Sequence, residues 1–162
     1  GAQICETLTL HLGLRGDAAR RRAIELLKDV RIPAAEQRFG EYPHQLSGGM
    51  RQRVAICRAF VLDPTVILLD EAFGHLDEVT AEQLRNECLG LLSETHKAAI
   101  VVTHNIGEAL DIAHRILVLD RPARVLRDLQ IASLRQQPDW QDRRAALRDE
   151  IFRVIDQGEA AA

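Results

Sequence analysis

A chain of 162 residues, 46% hydrophobic and 28% charged, has the composition of an ordinary folded protein and the length for one sizeable core, which excludes fibrous and disordered classes. A formal net charge of -3 at pH 7 argues against a nucleic-acid partner bound by phosphate neutralisation, and the basic runs at 20–22 and 143–144 read as solvated helix faces. Three widely separated cysteines, Cys5, Cys57 and Cys88, suggest neither a disulfide framework nor a zinc site, and no apolar run reaches the roughly 18–20 residues that span a bilayer, so membrane attachment is expected through a partner.

The first sixty residues read as helices: Gln3 to Leu14, then Asp17 to Val30 with Asp17 as N-cap, a break at Ile32–Pro33, and a further helix behind Gly49. From Thr65 the pattern changes. "TVILLD" and "AAIVVTH" are short apolar runs separated by a helical stretch from Thr80 to about Thr95, and "NIGEALDIA" leads to a third run, "RILVLD". Strand, helix, strand, helix, strand is the grammar of a parallel βαβ layer, with "RVLRDLQI" as an added edge strand. Pro138 opens a last amphipathic helix, Asp139 to Ile155, and "QGEAAA" reads as a frayed tail. The expected division is a helical subdomain over 1–62, an α/β core over 63–135, and a C-terminal helix and tail over 136–162.

Parallel sheets bind ligands beyond the carboxyl ends of their strands. There "TVILLD" delivers Asp70 and Glu71, and "AAIVVTH" delivers Thr103 and His104. Two successive carboxylates could divide a hydrolysis, the first holding Mg²⁺ and the second polarising a water, while the histidine senses a terminal phosphate. Alternatively, the carboxylates merely end a strand and His104 caps a helix. The stretch "LSGGMRQR" is more pointed, since two glycines each cost roughly 1 kcal/mol in a helix that begins with them. A Ser-Gly-Gly turn at a helix start offers N–H groups, a hydroxyl and the positive end of the dipole to an anion, with bare backbone for close approach.

Together these residues resemble the ATP-binding subunit of ABC transporters. The signature motif stands as Leu46-Ser47-Gly48-Gly49-Met50, the Walker B strand as "VILLDE", the D-loop as "GHLD" ending in Asp77, and the switch histidine as His104 in "VVTHN". The resemblance implies an α/β, P-loop NTPase fold, with ATP and Mg²⁺ as cofactors. It implies that Asp70 serves Mg²⁺, Glu71 is the catalytic base, His104 contacts the γ-phosphate, and Ser47, Gly48, Gly49 and Asp77 face nucleotide at the contact with a second nucleotide-binding subunit, a homodimer. Transmembrane permease subunits would be direct partners and a solute-binding protein an indirect one, which places the chain peripherally on the cytoplasmic face of the inner membrane.

The chain departs from the family pattern at Ala72, where proline is usual, at His75, where a small residue is common, and at Asn105, where aspartate follows the histidine. Asn caps helices about as well as Asp, so that change is expected to be mild. No G-x-x-x-x-G-K-[ST] occurs in the chain. The expectation is therefore the C-terminal part of a nucleotide-binding domain, truncated at its N-terminus and inactive alone. The earlier segments are similar to oligopeptide-type importers and the later ones to nitrate, sulfonate and taurine importers, so solute import is as far as the substrate is read. Two other classes fit less well: a non-hydrolysing interaction module or gene remnant, and a soluble ABC-type ATPase, which generally carries coiled-coil insertions, a second cassette or basic extensions.

Overall fold

The computed structural model describes residues 1–74 and 76–160. His75, named above as a departure from the family pattern, and the last two alanines lie outside the described residues. The chain divides into two compact units, residues 1–102 and 103–162.

The first unit begins with helices α1 (Ala2–Leu12), α2 (Gly16–Asp29) and the short α3 (Ala35–Arg38). In α1 the buried Ile4 and Leu8 lie one turn apart, and α2 buries Ala19, Ala23, Leu26 and Leu27, so each helix turns one stripe inward. These side chains join Val30, Ile32, Ala35, Cys57 and Val61 in one core. Gly13 ends α1 at φ 69, a left-handed conformation that glycine adopts without penalty. Asp17 is not the N-cap of α2: the extended Arg15 occupies that position, and Asp17 lies in the first turn, its charge facing the helix dipole.

A 3₁₀ turn at Pro43–Gln45 leads into α4 (Gly48–Phe60), followed by β1 (Val66–Asp70), α5 (Glu78–Glu94) and β2 (Ala98–Val102). β1 and β2 pair in parallel, with Leu68 opposite Ile100 and Asp70 opposite Val102. Alternation sends Ile67 and Leu69 inward, whereas Leu68 is 73% exposed and Val66, Ile100 and Val102 are exposed beside it.

The second unit holds α6 (Ile106–Ile112), β3 (Arg115–Asp120), β4 (Arg124–Gln130), α7 (Ile131–Arg135) and α8 (Trp140–Ala160). "RILVLD" is a strand, but its ladder is antiparallel to β4, a pairing that the short loop 121–123 makes possible. Leu110, Val118, Ile131 and Ile151 form this unit's core. The tail expected to fray is helical through Ala160, since residues 156–160 contain no proline and a single glycine costs only about 1 kcal/mol.

Candidate functional site

Ser47 caps α4: its backbone is extended and its Oγ accepts the N–H of Met50 at 3.3 Å. The Arg51 guanidinium turns back to the Leu46 carbonyl at 3.0 Å, closing the turn from the other side. Gly48 and Gly49 occupy the first turn, whose N–H groups have no acceptor within the helix. They differ in their surroundings. A Cβ on Gly49 would lie 2.9 Å from the Thr80 methyl, whereas one on Gly48 meets only Leu76, at 3.7 Å. One glycine is required by packing inside the chain, and the other is not.

Asp77 caps α5, accepting the Thr80 N–H at 3.0 Å on Oδ1. Hydrogen bonds from the Thr80 side chain and then its backbone hold the Asp77 carboxyl below the usual aspartate value of 3.8. Thr80 thus touches Gly49 with its methyl and Asp77 with its polar atoms, which keys the start of α4 to the start of α5.

Asp70 ends β1, exposed, at the carboxyl edge of the parallel pair. Glu71 follows at φ 48, an uncommon left-handed conformation for a residue with a side chain. Its N–H donates to the Val102 carbonyl at 2.9 Å and its carbonyl accepts from Gly74 N–H at 3.2 Å, so the chain turns sharply where the ladder stops. Within that turn the Ala72 carbonyl accepts from Gln52 Nε2. Gly48, Arg51, Gln52, Glu71, Gly74 and Leu76 line a pocket of about 210 Å³.

The structure therefore gathers Gly48 and Glu71 on one pocket, joins Gly49 to Asp77 through Thr80, and leaves Ser47 as the cap beside them. His104 belongs to the second unit, where it is exposed between Thr103 and Asn105. Thr103 Oγ1 accepts the Asn105 N–H at 3.0 Å, and Asn105 Oδ1 accepts the Glu108 N–H at 3.1 Å. Asn105, not His104, is the cap of α6, and it fills the role in which Asp was expected.

Sequence reasoning missed Arg51, Gln52 and Thr80. A usable signal for Gln52 was its place four residues after Gly48, which puts both on one face of α4. The donors suit one side of a phosphate: helix N-terminal N–H groups, a guanidinium and an amide, with the Glu71 carboxylate as the acceptor beside them. Among the described residues no cluster of three or more His, Cys, Asp or Glu could hold a metal ion. No helix among the described residues is long and apolar enough to cross a membrane.

Residues 3–74 match the ABC transporter family. An ATP-binding protein of Brucella abortus ascribed to peptide import is 44% identical over 119 residues, 74% of this chain and 36% of that protein. The taurine import ATP-binding protein TauB of Rhizobium johnstonii is 34% identical over 161 residues, 94% of this chain and 62% of that protein. The chain thus spans from about a third to about three fifths of the length of these relatives. The dimeric structure of MJ0796, a bacterial ABC transporter cassette, superposes with a TM-score of 0.61 at 38% identity, covering 73% of this chain and 49% of that one. A post-hydrolysis structure of the same cassette bound to ADP and Pi matches at 36% identity and the same TM-score. The expected double likeness, to peptide importers and to a taurine importer, is what the relatives show.

Proposed function

Because the chain belongs to the ATP-binding family of import-type ABC transporters, we propose that it supplies the base, the metal-facing carboxylate and the signature of a nucleotide site that energises solute import. Glu71 takes the proton from a water as the water oxygen attacks the γ-phosphorus and the bond to the β-phosphate oxygen breaks. Asp70 would hold Mg²⁺, which when bound would supply charge neutralisation to the phosphates. His104 contacts the γ-phosphate, and Ser47, Gly48, Gly49 and Asp77 face nucleotide held by a second nucleotide-binding subunit. By role, residues 1–62 carry the signature, 63–135 the hydrolytic groups and 136–162 the closing helix. The working assembly is a dimer on the cytoplasmic face of the inner membrane, docked on permease subunits that a solute-binding protein feeds.

The observation that carries this reading is the sharp turn at the end of β1. It exposes Asp70 at the carboxyl edge of the parallel pair and sets Glu71 directly after it in a left-handed turn, the placement that a metal-facing carboxylate and a neighbouring base require.

The 162 residues hold no G-x-x-x-x-G-K-[ST], so nothing in them cradles the β- and γ-phosphates for attack, and the chain alone should hydrolyse ATP only at background. The experiment measures Mg²⁺-dependent phosphate release from the chain alone and from a chimera in which the cradle-bearing part of a related import ATPase precedes it. The chimera should be active, and Glu71→Gln should slow it by about 10²–10⁴-fold with ATP binding retained. A chimera indifferent to Glu71→Gln, or activity of the chain alone that this change abolishes, overturns the proposal.

A further inference from the structure

The loop that carries Glu71 and the start of the helix α5 that follows it meet α4 at three points. The Gln52 side-chain amide donates to the carbonyl of Ala72, the residue directly after Glu71. Gly48 faces Leu76 at 3.7 Å, and Gly49 faces Thr80 at 2.9 Å, both measured from the Cβ each glycine lacks. The first tie differs from the other two. The glycine contacts are apolar and non-directional, whereas an amide donor on a carbonyl fixes the orientation of one peptide plane. That plane joins Ala72 to Phe73, one residue beyond the left-handed Glu71, within the turn closed by Gly74 N–H on the Glu71 carbonyl. A residue at φ 48 keeps that conformation only where its surroundings impose it. On one side of Glu71 the β1–β2 ladder does so, through its N–H on Val102. On the other side Gln52 reaches in from α4, its amide donating to the Ala72 carbonyl.

We propose that Gln52 is the positioning residue for Glu71, holding the general base's loop against the first turns of the signature-bearing helix so that the two move as one piece. The proposal rests on Glu71 acting as the base. Its structural content is that the loop over 71–74 is held by the Gln52 donor, and a merely helical role for Gln52 would leave that loop unaffected.

Hydrogen exchange on the full chain, read amide by amide, tests this. Gln52→Met keeps the length and helix preference of the side chain and removes the donor, while Gln52→Lys restores a donor of similar reach. In Gln52→Met the N–H groups of Glu71 and Gly74 should exchange at least tenfold faster, with those of α1, α2 and the middle of β1 unchanged, and Gln52→Lys should return them to near the parent rate. Unchanged exchange at Glu71 and Gly74, acceleration spread evenly over residues 1–102, or no rescue by lysine overturns the proposal. If Gln52→Met does not fold, the Gln52 side-chain amide of the parent chain is read instead. Slow exchange of its protons supports the bond to Ala72, and exchange at the rate of a solvated glutamine overturns it. None of these readouts requires hydrolysis, so the Gln52 assignment and the Glu71 assignment can fail separately.

Discussion

A methyl on Gly49 would collide with the Thr80 methyl at 2.9 Å, and one on Gly48 would rest on Leu76 at an ordinary 3.7 Å, so the two glycines make opposite predictions. Gly49→Ala should destabilise the chain by about 1–3 kcal/mol through overpacking against a stiff β-branched side chain. Thr80→Ser in the same chain should recover most of that loss, because it removes the methyl and keeps the hydroxyl that bonds Asp77. Gly48→Ala should leave the melting temperature unchanged or raise it, alanine being better in a helix by up to about 1 kcal/mol. If Gly48→Ala also leaves the nucleotide-dependent activity of the chimera unchanged, close approach of a phosphate at Gly48 is ruled out. The buried cysteines give a second test. Burial pushes the Cys57 thiol up to about 12 and the Cys88 thiol to about 11, from a usual 9.0. In the unfolded chain these thiols ionise first, so the folded state binds more protons above pH 9. Stability should therefore be fully present below pH 9 and fall as pH rises toward 11–12. Denaturation midpoints across that range, compared with Cys57→Ala and Cys88→Ala, measure it.

At the scale of elements, α2, α4 and α5 are joined by one charged cluster. Arg53 of α4 donates to the Val30 carbonyl at the end of α2 and pairs with Glu87 of α5, which Arg31 approaches at 4.0 Å. Both members of the Arg53–Glu87 pair are largely withdrawn from solvent, with side chains 13% and 16% exposed. Removing the acid leaves a guanidinium that burial and the neighbouring Arg31 already penalise. Glu87→Gln should cost about 2–3 kcal/mol in urea denaturation, short of the 3–5 of a fully buried pair, and Arg53→Met with Glu87→Met should recover part of it. A loss below 0.5 kcal/mol, the ordinary range for a surface site, would show that the cluster does not tie the helices together. How legible an element was depended on what its residues encode locally. Ser47 before two glycines announces the start of α4 through cap chemistry, and "RILVLD" announces β3 through its apolar run. The start of α2 was misread because Asp17 is the better capping residue, yet the chain is already helical from Gly16. The partner of β3 was misread because an apolar run specifies a strand and not its neighbour, which here is set by the return at 121–123. Asp70 and Glu71 were legible because strand ends are where ligands bind, whereas Gln52 was not, since its tie to Ala72 is a tertiary contact between residues twenty apart.

For the whole molecule the open question is which nucleotide each motif serves. In the proposed dimer the hydrolytic groups act on their own subunit's nucleotide and Ser47–Gly49 on the partner's. The pocket on which Gly48 and Glu71 meet gives the opposite arrangement a concrete basis, since one ligand there would touch both. A mixed dimer of cradle-bearing chimeras separates the two. One subunit carries Ser47→Arg, whose bulk and charge at the start of α4 should block closure on nucleotide, and the other carries Glu71→Gln. Each homodimer should be inactive. If the signature acts across the dimer, both lesions fall on the site built around the Glu71→Gln subunit's nucleotide, and the other site keeps an intact base and an intact signature. The purified heterodimer should then recover hydrolysis to within about twofold of half the parent rate, against homodimers lowered about 10²-fold or more by loss of the base. If instead base and signature act within one chain, each site of the heterodimer carries one lesion, and the heterodimer is as inactive as its parents. Phosphate release from the heterodimer therefore decides the assignment of Ser47–Gly49, and a rate no higher than that of either homodimer removes the cross-dimer role proposed for it.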